Sequence, residues 1–333
     1  MPKVVRFHNY GGPEVLHLED LPAAQPGAGE VLIEVHAIGL NRAESMYRSG
    51  AYLEAATFPS RLGYEAAGIV LETGEGVDAF AVGDQVSLVP PSSIARWGSY
   101  AEQTVVPAAM LVKHPNRLNM QQAAAVWMQY LTAWGALLPI GKLSRHDTVL
   151  ITAASSSVGL AAIQIARRTG ARSIAFTRSP NKVQALLNAG ACHVVVGEAE
   201  LTAEIKRLTA ESGVRLIFDP VGGALMQTLV DVASRGGMLI SYGALAEEST
   251  PYPLLPVLAK SLTLRGYLLH EIIDDPQLFA EAKRYVIEGI EEGSLLPYID
   301  SKTFSLDEIV DAHRYMESGK QLGKIVINTR LGK

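Results

Sequence analysis

Three consecutive serines near the middle of the chain form a turn of small residues that could contact a phosphate. The turn follows a short apolar run, Thr148–Thr152, which is typical of a buried strand, and it consists of Ser155, Ser156 and Ser157. Val158 and Gly159 then begin a stretch with apolar residues at helical spacing. A strand, a small-residue turn and a helix N-terminus present backbone N–H groups to a pyrophosphate, so these residues predict a dinucleotide site.

The glycine pattern of this turn is incomplete. Dinucleotide turns normally carry glycines where the chain bends and where phosphate approaches the backbone. Here only Gly159 remains, at the position where helix and strand pack, and a serine hydroxyl can cap the helix or donate to phosphate. An ordinary strand–helix–strand unit with a serine-capped helix would show the same pattern, so this stretch leaves both interpretations open.

The end of the next predicted strand, Ser173–Thr177, indicates which dinucleotide the turn would bind. A site for NADH typically carries an Asp or Glu about 20 residues after the turn, where it binds the ribose 2′-hydroxyl. Here Thr177 is followed by Arg178 and then by Lys182, with no acidic residue between them. An arginine can pair with a 2′-phosphate and stack on adenine, and a lysine adds positive charge. These residues favour NADPH, although Lys182 could instead face solvent on the next helix.

The elements that would position these residues alternate between strands and helices in the second half of the chain. The further predicted parallel strands are His193–Val196, Leu216–Asp219, Met238–Tyr242 and Leu262–Leu268. Because helices of about 10–15 residues separate most of them, they predict a doubly wound sheet. The stretch Gln122–Val126 leads into an apolar helix through Thr132 and Ala136, which precedes this region. Helices are also predicted near Pro276–Glu292 and Leu306–Ser318.

The first 110 or so residues have a β-rich pattern punctuated by Gly and Pro. The clearest strands there are Val31–Ala37, Gly68–Glu72 and Gln85–Val89, and a final strand, Lys324–Asn328, lies near the C-terminus. A chain of 333 residues exceeds the size at which one hydrophobic core usually stops growing. The sequence therefore predicts two domains.

Composition excludes several classes of protein. With 48% hydrophobic and 19% charged residues the chain is globular in character, and a net charge of −5 provides no basic footprint for nucleic acid. We see no apolar run of the roughly 18 residues that a membrane span needs and no signal peptide, which predicts a cytoplasmic protein with no membrane partner. The single cysteine, Cys192, excludes an intrachain disulfide and a multi-thiolate metal site.

Motifs spread over nearly the whole chain share their order and spacing with one superfamily. They are Gly11–Leu16, Gly63–Gly68 followed by Gly83-Asp84, Asp219–Gly223, Tyr242-Gly243 and Gly323–Val326. In this arrangement the chain resembles the medium-chain dehydrogenase/reductase superfamily, and within it the zinc-free branch of quinone oxidoreductases and enoyl reductases. The resemblance implies an α/β fold with a GroES-like, β-rich catalytic domain and a Rossmann domain with a doubly wound parallel sheet. It places the catalytic domain in residues 1–124 and 269–333 and the NADP(H)-binding domain in residues 125–268.

The resemblance also implies cofactor contacts outside the serine turn. Thr132 lies where this branch carries a threonine near the nicotinamide, although a helical threonine often binds its own backbone instead. Tyr242 and Gly243 follow an apolar strand, so they would lie at the carboxyl edge of the sheet beside the nucleotide. Quinone oxidoreductases often carry a tyrosine that contacts the cofactor after the third strand, but this chain has Val196-Gly197-Glu198 there.

The zinc ligands of the alcohol dehydrogenases in this superfamily are missing. Their first cysteine would fall in Gly39–Glu44, which contains none, and their histidine is replaced by Tyr64, whose neutral phenol is a poor zinc ligand. A four-cysteine structural site is impossible with one cysteine in the chain. Glu65 remains, but one carboxylate does not form a site. We therefore expect no bound metal.

The segment after the first long strand resembles the Asn-x-x-Asp/Glu…Gly-x-Tyr pattern of the zinc-free branch, with Asn41, Glu44, Gly50 and Tyr52 at matching offsets. In the enoyl thioester reductases the tyrosine at this position is regarded as a proton donor or as a group that stabilises the enolate. A phenol with a pKa near 10 can perform both roles. The resemblance implies Tyr52, Asn41 and Tyr64 as catalytic candidates, whereas a packing role in a loop is the alternative for Tyr52.

Three functions agree with these observations. The first is transfer of hydride from NADPH to a quinone or to an α,β-unsaturated carbonyl such as an enone, enal or enoyl thioester, because such acceptors need no Lewis acid. The second is a carbonyl or alcohol oxidoreductase, which the missing zinc ligands disfavour. The third is a non-enzymatic protein that binds NADPH. The strand Leu262–Leu268 would end the sheet, and in the superfamily that the chain resembles this edge commonly pairs with its copy in a second subunit. The resemblance therefore implies a homodimer, or a tetramer built from it.

Overall fold

The computed structural model describes residues 1–331, and contacts divide the chain into two units. The first contains Met1–Met128 and the residues from Pro297 onward, and the second contains Gln129–Leu296. The segment 269–296, which we placed in the catalytic domain, groups with the second unit. Contacts between residues distant in sequence explain this grouping, since the Gln164 side chain donates to the carbonyl of Leu296 at 2.9 Å and accepts from its N–H at 2.9 Å.

The strands and helices between residues 1 and 331 are as follows. The strands are β1 (Lys3–Arg6), β2 (His17–Asp20), β3 (Glu30–Gly39), β4 (Glu65–Thr73), β5 (Gln85–Leu88), β6 (Gln103–Pro107), β7 (Leu111–Lys113), β8 (Thr148–Ile151), β9 (Arg172–Thr177), β10 (His193–Val196), β11 (Val214–Asp219), β12 (Ala233–Ser241), β13 (Thr263–Gly266), β14 (Phe304–Ser305) and β15 (Val326–Asn328). The α-helices are α1 (Arg42–Ser49), α2 (Ile94–Trp97), α3 (Met120–Ala123), α4 (Trp127–Gly135), α5 (Ser157–Thr169), α6 (Val183–Asn188), α7 (Glu198–Leu208), α8 (Leu225–Val232), α9 (Leu254–Lys260), α10 (His270–Ile273), α11 (Pro276–Glu292) and α12 (Ile309–Glu317).

The first unit is built around β3, the longest strand of a seven-stranded sheet. The sheet follows the order β14-β15-β3-β4-β5-β7, and β6 also pairs with β3. Val31, Ile33 and Val35 alternate along β3 and pack into the hydrophobic core, as the predicted period of two requires. This β-rich unit confirms the GroES-like part of the predicted fold.

The second unit contains a six-stranded parallel sheet in the order β10-β9-β8-β11-β12-β13. If β8 to β13 are renumbered 1 to 6, this order is 3-2-1-4-5-6, which defines the Rossmann fold. His193–Val196 matches its predicted strand, and β9 begins one residue earlier than predicted. The prediction of a doubly wound parallel sheet is confirmed.

The helix expected after Gln122–Val126 corresponds to α4, which begins at Trp127 and ends at Gly135. A short helix, α3, precedes it and ends at Ala123. A π-helix, Ala136–Ile140, follows α4 and contains a proline, which cannot donate an N–H to a regular helical ladder. The helix expected from Leu306 is α-helical only from Ile309, after a 3-10 turn.

One segment within residues 1–331 is long and apolar enough to cross a membrane when length and composition alone are considered. It is Met120–Ile140, with a mean hydropathy of 1.2. Polar residues such as Gln121, Gln122 and Gln129 interrupt this segment, so it is not one continuous apolar run. Within its most apolar window, 78% of the residues are buried inside the protein, as in a core helix of a folded domain.

Candidate functional site

The serine turn lies between the end of β8 and the start of α5, as predicted. Ser156 caps the helix, since its Oγ accepts the N–H of Gly159 at 3.1 Å. A Cβ on Gly159 would lie 2.6 Å from the backbone of Ala154, so only glycine allows the helix to start this close to the turn. Ala153 has a φ of +43°, a left-handed conformation that glycine usually supplies. The turn therefore has the sharp bend of a dinucleotide turn without its first glycines.

The half-buried residues Ser155, Ser156, Ser157 and Val158 all lie at the N-terminus of α5, a helix of thirteen residues. Free N–H groups and the helix dipole make such an end attractive to anions. The Nζ of Lys182 donates to the Oγ of Ser155 at 3.2 Å. Lys182 is thus directed toward the turn, not only toward solvent.

The strand beside this turn ends in the residues predicted to select the cofactor. β9 pairs in parallel with β8, so the carboxyl ends of both strands lie side by side. Thr177, the last residue of β9, is buried, and its Oγ1 accepts the N–H of Ser179 at 3.2 Å. Arg178 is exposed, and none of the ion pairs found among residues 1–331 includes it. Its guanidinium is available for a ligand.

The structure adds a buried carboxylate that sequence reasoning did not assign. Asp219 ends β11, the neighbour of β8 on the other side, and its carboxylate accepts the hydroxyl proton of Thr152 and the N–H of Gly222, the latter at 2.8 Å. Burial raises the pKa of Asp219. Strands β8 and β11 flank the point where the strand order reverses, which is where ligands bind in open α/β sheets. The motif Asp219–Gly223 contains this carboxylate, and the strand order explains why it lies beside Thr152.

The remaining predicted cofactor residues lie in the same unit. Tyr242 follows β12, its ring stacks on Phe218 with centroids 3.9 Å apart, and burial raises the pKa of its phenol. Gly243 is exposed, and a Cβ there would lie 3.0 Å from Pro220. Thr132 is buried in α4. Tyr242 and Gly243 thus lie at the carboxyl end of the sheet, as predicted.

In the first unit, the structure brings two of the three predicted catalytic residues into contact. The hydroxyl of Tyr64 donates to the hydroxyl oxygen of Tyr52 at 3.0 Å, and the rings meet edge to face with centroids 6.4 Å apart. Tyr64 is only 2% exposed, whereas Tyr52 is half-buried. Burial raises the pKa of both phenols, and the hydrogen bond from Tyr64 opposes that rise at Tyr52.

A fully buried carboxylate fixes the segments that carry these tyrosines. Glu44 lies in the first turn of α1 and accepts the backbone N–H of Asn41 at 2.7 Å and that of Tyr64 at 2.8 Å. It also accepts the hydroxyl proton of Tyr100. Burial raises the pKa of Glu44 even though these hydrogen bonds favour its charged form. The glycine of the Asn-x-x-Asp/Glu…Gly-x-Tyr motif has a structural reason, because Gly50 ends α1 with a left-handed φ of +79°.

Asn41, the third predicted catalytic residue, lies inside this buried network. Its Oδ1 accepts from the Nζ of Lys324 at 2.6 Å, and its Nδ2 donates to the carbonyl of Gly39 at 3.1 Å. Lys324 in turn pairs with Glu65 at 2.6 Å, and neither of these two side chains is exposed to solvent. The oxygen and the nitrogen of the Asn41 side-chain amide are therefore both hydrogen-bonded within the first unit. The buried ion pair was not found by sequence reasoning, since nothing local links Glu65 to Lys324.

No group of three or more His, Cys, Asp or Glu side chains between residues 1 and 331 could hold a metal ion. Tyr64 occupies the position where the zinc enzymes have a histidine, and its hydroxyl is directed at Tyr52. Glu65, the one remaining acidic candidate, is paired with Lys324. The donors at this position suit hydrogen bonding better than metal binding.

Comparison with known proteins agrees with this architecture. Residues 27–116 match the family described as the alcohol dehydrogenase GroES-like domain, and residues 157–284 match the family described as zinc-binding dehydrogenase. A β-rich GroES-like unit together with a Rossmann sheet defines the class of this protein as a medium-chain dehydrogenase/reductase.

Comparison with individual relatives indicates the branch of this superfamily to which the chain belongs. A quinone oxidoreductase from Pseudomonas aeruginosa is 32% identical over 98% of this chain and 99% of its own length. The crystal structure of Escherichia coli quinone oxidoreductase complexed with NADPH is similar, with a TM-score of 0.89, 30% identity and coverage of 98% and 99% of the two chains. A crystal structure of an NAD-dependent alcohol dehydrogenase matches with a TM-score of 0.89, 29% identity and the same coverage. The chain belongs to the quinone oxidoreductase branch of the medium-chain dehydrogenase/reductase superfamily.

Proposed function

We propose that this protein is a zinc-independent reductase that uses NADPH to reduce a quinone or an α,β-unsaturated carbonyl. The observation that carries the proposal is the hydrogen bond between Tyr52 and Tyr64, of which Tyr64 occupies the position of the zinc-binding histidine. A phenol can donate a proton to an acceptor oxygen, whereas it is a poor zinc ligand. Acceptors that are already electrophilic need only this proton and a hydride.

The second unit has residues that fit NADPH. The N-terminus of α5 and its serines would bind the pyrophosphate, and Arg178 with Lys182 would bind the 2′-phosphate. Thr132 would lie near the nicotinamide, as the family resemblance implies, and Tyr242 and Gly243 would lie beside the nucleotide at the carboxyl edge of the sheet. When bound, NADPH supplies a hydride, which is the only part of the chemistry that the protein itself cannot provide. The NADPH complex of the Escherichia coli relative supports this assignment.

Tyr52 completes the reduction as the proton donor. As the acceptor gains a hydride at an electrophilic carbon or quinone carbonyl, an electron pair shifts onto an acceptor oxygen. The O–H bond of Tyr52 breaks, its proton passes to the acceptor, and the bonding electron pair stays on the Tyr52 oxygen. Water later returns a proton to the half-buried Tyr52. The products are a hydroquinone or a saturated carbonyl compound, together with NADP⁺.

The reaction can be tested with three acceptors in parallel. We expect the purified protein to oxidise NADPH in the presence of an ortho-quinone, a 2-alkenal or crotonyl-CoA, and the acceptor with the highest kcat/KM identifies the substrate class. Dialysis against a chelator should leave this rate unchanged, because the phenol pair and not a metal assists the acceptor. Loss of activity that added zinc restores would contradict zinc independence.

Two other functions are distinguished by the same assay. The similarity to an NAD-dependent alcohol dehydrogenase favours a carbonyl or alcohol oxidoreductase as the second candidate, and oxidation of simple alcohols with either cofactor would support it. Tight NADPH binding with no turnover of any acceptor would instead indicate a binding protein that has lost catalysis.

Replacing Arg178 by alanine should weaken NADPH binding about ten- to a hundredfold, since a hydrogen bond to a charged group contributes about 1.5–3 kcal/mol. The dissociation constant of NADH should hardly change, because NADH carries no 2′-phosphate. Titration of intrinsic fluorescence with each cofactor measures both constants. Arg172→Ala is the matched control, since Arg172 lies at the opposite end of β9. Equal effects of Arg178→Ala on both cofactors would contradict the 2′-phosphate assignment.

We also propose that two copies associate through β13. This strand ends the six-stranded sheet, so one of its edges has no partner strand within residues 1–331. Pairing with its copy would cover that edge. Light scattering should therefore report a particle of twice the monomer mass, or four times if dimers pair again, and monomer mass alone would contradict the proposal. A cytoplasmic location stays a prediction.

A further inference from the structure

We propose that Tyr64 is a positioning residue for Tyr52: its hydroxyl directs the Tyr52 proton toward the acceptor and stabilises the tyrosinate that remains. The inference rests on the proposed function, in which Tyr52 donates the proton. It gives a specific role to a residue that the motif resemblance names only as a catalytic candidate. Three observations support it: the hydrogen bond between the two hydroxyls, the deeper burial of Tyr64 than of Tyr52, and the contacts that fix the position of Tyr64.

The direction of the hydrogen bond determines where the Tyr52 proton can go. A phenol carries a single proton, and the hydroxyl of Tyr64 donates its proton to the Tyr52 oxygen at 3.0 Å. The hydrogen bond between the two tyrosines therefore does not use the Tyr52 proton, which Tyr52 can donate to a third group. Because Tyr52 is half-buried and Tyr64 is 2% exposed, Tyr52 is the one that can meet an acceptor.

Tyr64 is held in place from two sides. Its backbone N–H donates to the buried carboxylate of Glu44 at 2.8 Å. The next residue, Glu65, pairs with Lys324 at 2.6 Å through side chains that have no solvent exposure. A donor that is fixed before the reaction loses little entropy when charge develops next to it.

The hydrogen bond from Tyr64 becomes stronger as the reaction proceeds. The acceptor gains a hydride, the O–H bond of Tyr52 breaks, and the electron pair of that bond stays on the Tyr52 oxygen. A hydrogen bond to a charged oxygen is roughly twice as strong as one to a neutral oxygen, so Tyr64 stabilises the transition state more than the ground state. After product release, water returns the proton to Tyr52.

The charged groups around Tyr52 oppose its ionisation. Burial, Glu54 and Glu44 all raise the pKa of Tyr52, while the hydrogen bond from Tyr64 is the contribution that lowers it. Tyr47 also packs edge to face against Tyr52, with centroids 6.5 Å apart, but its hydroxyl bonds to Ser60 at 2.7 Å. Tyr64 is thus the phenol that hydrogen-bonds to Tyr52, and Tyr47 provides a matched control with the same ring and the same neighbour.

The kinetic test compares Tyr64→Phe with Tyr47→Phe. Tyr64→Phe should lower kcat about tenfold and leave the KM for NADPH unchanged, because one hydrogen bond to a developing charge is lost. The alkaline limb of the profile of kcat/KM against pH should move to higher pH, since Tyr52 then loses its proton less readily. A more acidic fluorotyrosine at position 64 should move this limb to lower pH. Tyr47→Phe should cause neither change.

A double variant and a spectroscopic titration separate this inference from the proposed function. In a Tyr52→Phe background, Tyr64→Phe should have no further effect on kcat, and an undiminished effect there would overturn the inference. With 3-fluorotyrosine at position 52, fluorine NMR follows its ionisation without any turnover, and Tyr64→Phe should raise the midpoint. An unchanged midpoint would also overturn it. If no acceptor is reduced, the proposed function fails, and if Tyr52→Phe turns over normally, Tyr52 is not the proton donor. In both cases the titration still decides whether the Tyr64 hydroxyl stabilises the Tyr52 tyrosinate.

Discussion

Replacing Tyr52 by phenylalanine should lower kcat by about 10²- to 10⁴-fold, the range in which a positioned general acid contributes. The substitution keeps the aromatic ring, which packs edge to face against Tyr47 and Tyr64, and removes only the hydroxyl. The acceptor oxygen would then have to take its proton from water. The KM for NADPH should stay the same, because the proposed cofactor contacts do not include Tyr52.

Stopped-flow measurement of NADPH oxidation at saturating acceptor gives this kcat directly. Tyr47→Phe is the control, since it removes a hydroxyl that bonds to Ser60 and not to Tyr52. A solvent deuterium isotope effect in the unmodified enzyme should identify the proton-transfer step. A decrease of less than about tenfold in Tyr52→Phe would show that this phenol is not the proton donor.

Replacing Lys324 by methionine should reduce the free energy of unfolding by about 3–5 kcal/mol, because it leaves a buried carboxylate without its partner. Lys324 pairs with Glu65 at 2.6 Å and donates to the Oδ1 of Asn41 at 2.6 Å. Methionine has a similar length and fills much of the same space. The loss of stability should therefore come mainly from the lost charge and not from a cavity. The midpoint of urea denaturation, followed by circular dichroism, measures the change.

Two further variants test the cause of this loss. The double variant Glu65→Gln with Lys324→Met should recover part of the stability, since no unpaired charge is then buried. Lys3→Met removes a lysine from an exposed pair with Asp307 and should have little effect on the midpoint. If Lys324→Met is no more destabilising than Lys3→Met, the buried pair does not support the fold.

Local patterns in the sequence were sufficient to predict the strands and the class of fold. Strand His193–Val196, the serine cap of α5 and the close-packed Gly159 each depend on neighbours within a few residues. Repeated alternation of strands and helices then predicts a parallel sheet, because crossover helices connect parallel strands. The family motifs added the GroES-like unit, and the structure confirms this architecture.

Helix continuity and the segment 269–296 were harder to predict from sequence. Apolar composition between Gln122 and Ala136 indicates helix, but it does not show that α3 ends at Ala123 and α4 begins at Trp127. Likewise, residues 269–296 group with the second unit through contacts such as that between Gln164 and Leu296. Such contacts join residues far apart in sequence, and no local pattern encodes them.

The sequence by itself determined which residues are present at the candidate site: a tyrosine where zinc enzymes have histidine, serines in the turn, and Arg178 in place of an acid. Only the tertiary structure decided how these residues are arranged. In the folded protein the Tyr64 hydroxyl donates a hydrogen bond to Tyr52, and Lys324 donates one to Asn41 across a separation of 283 residues. Thr152 likewise donates a hydrogen bond to Asp219. The physical reason is that a hydrogen bond depends on distance and direction, which the packing of remote strands sets, while residue type depends on sequence alone.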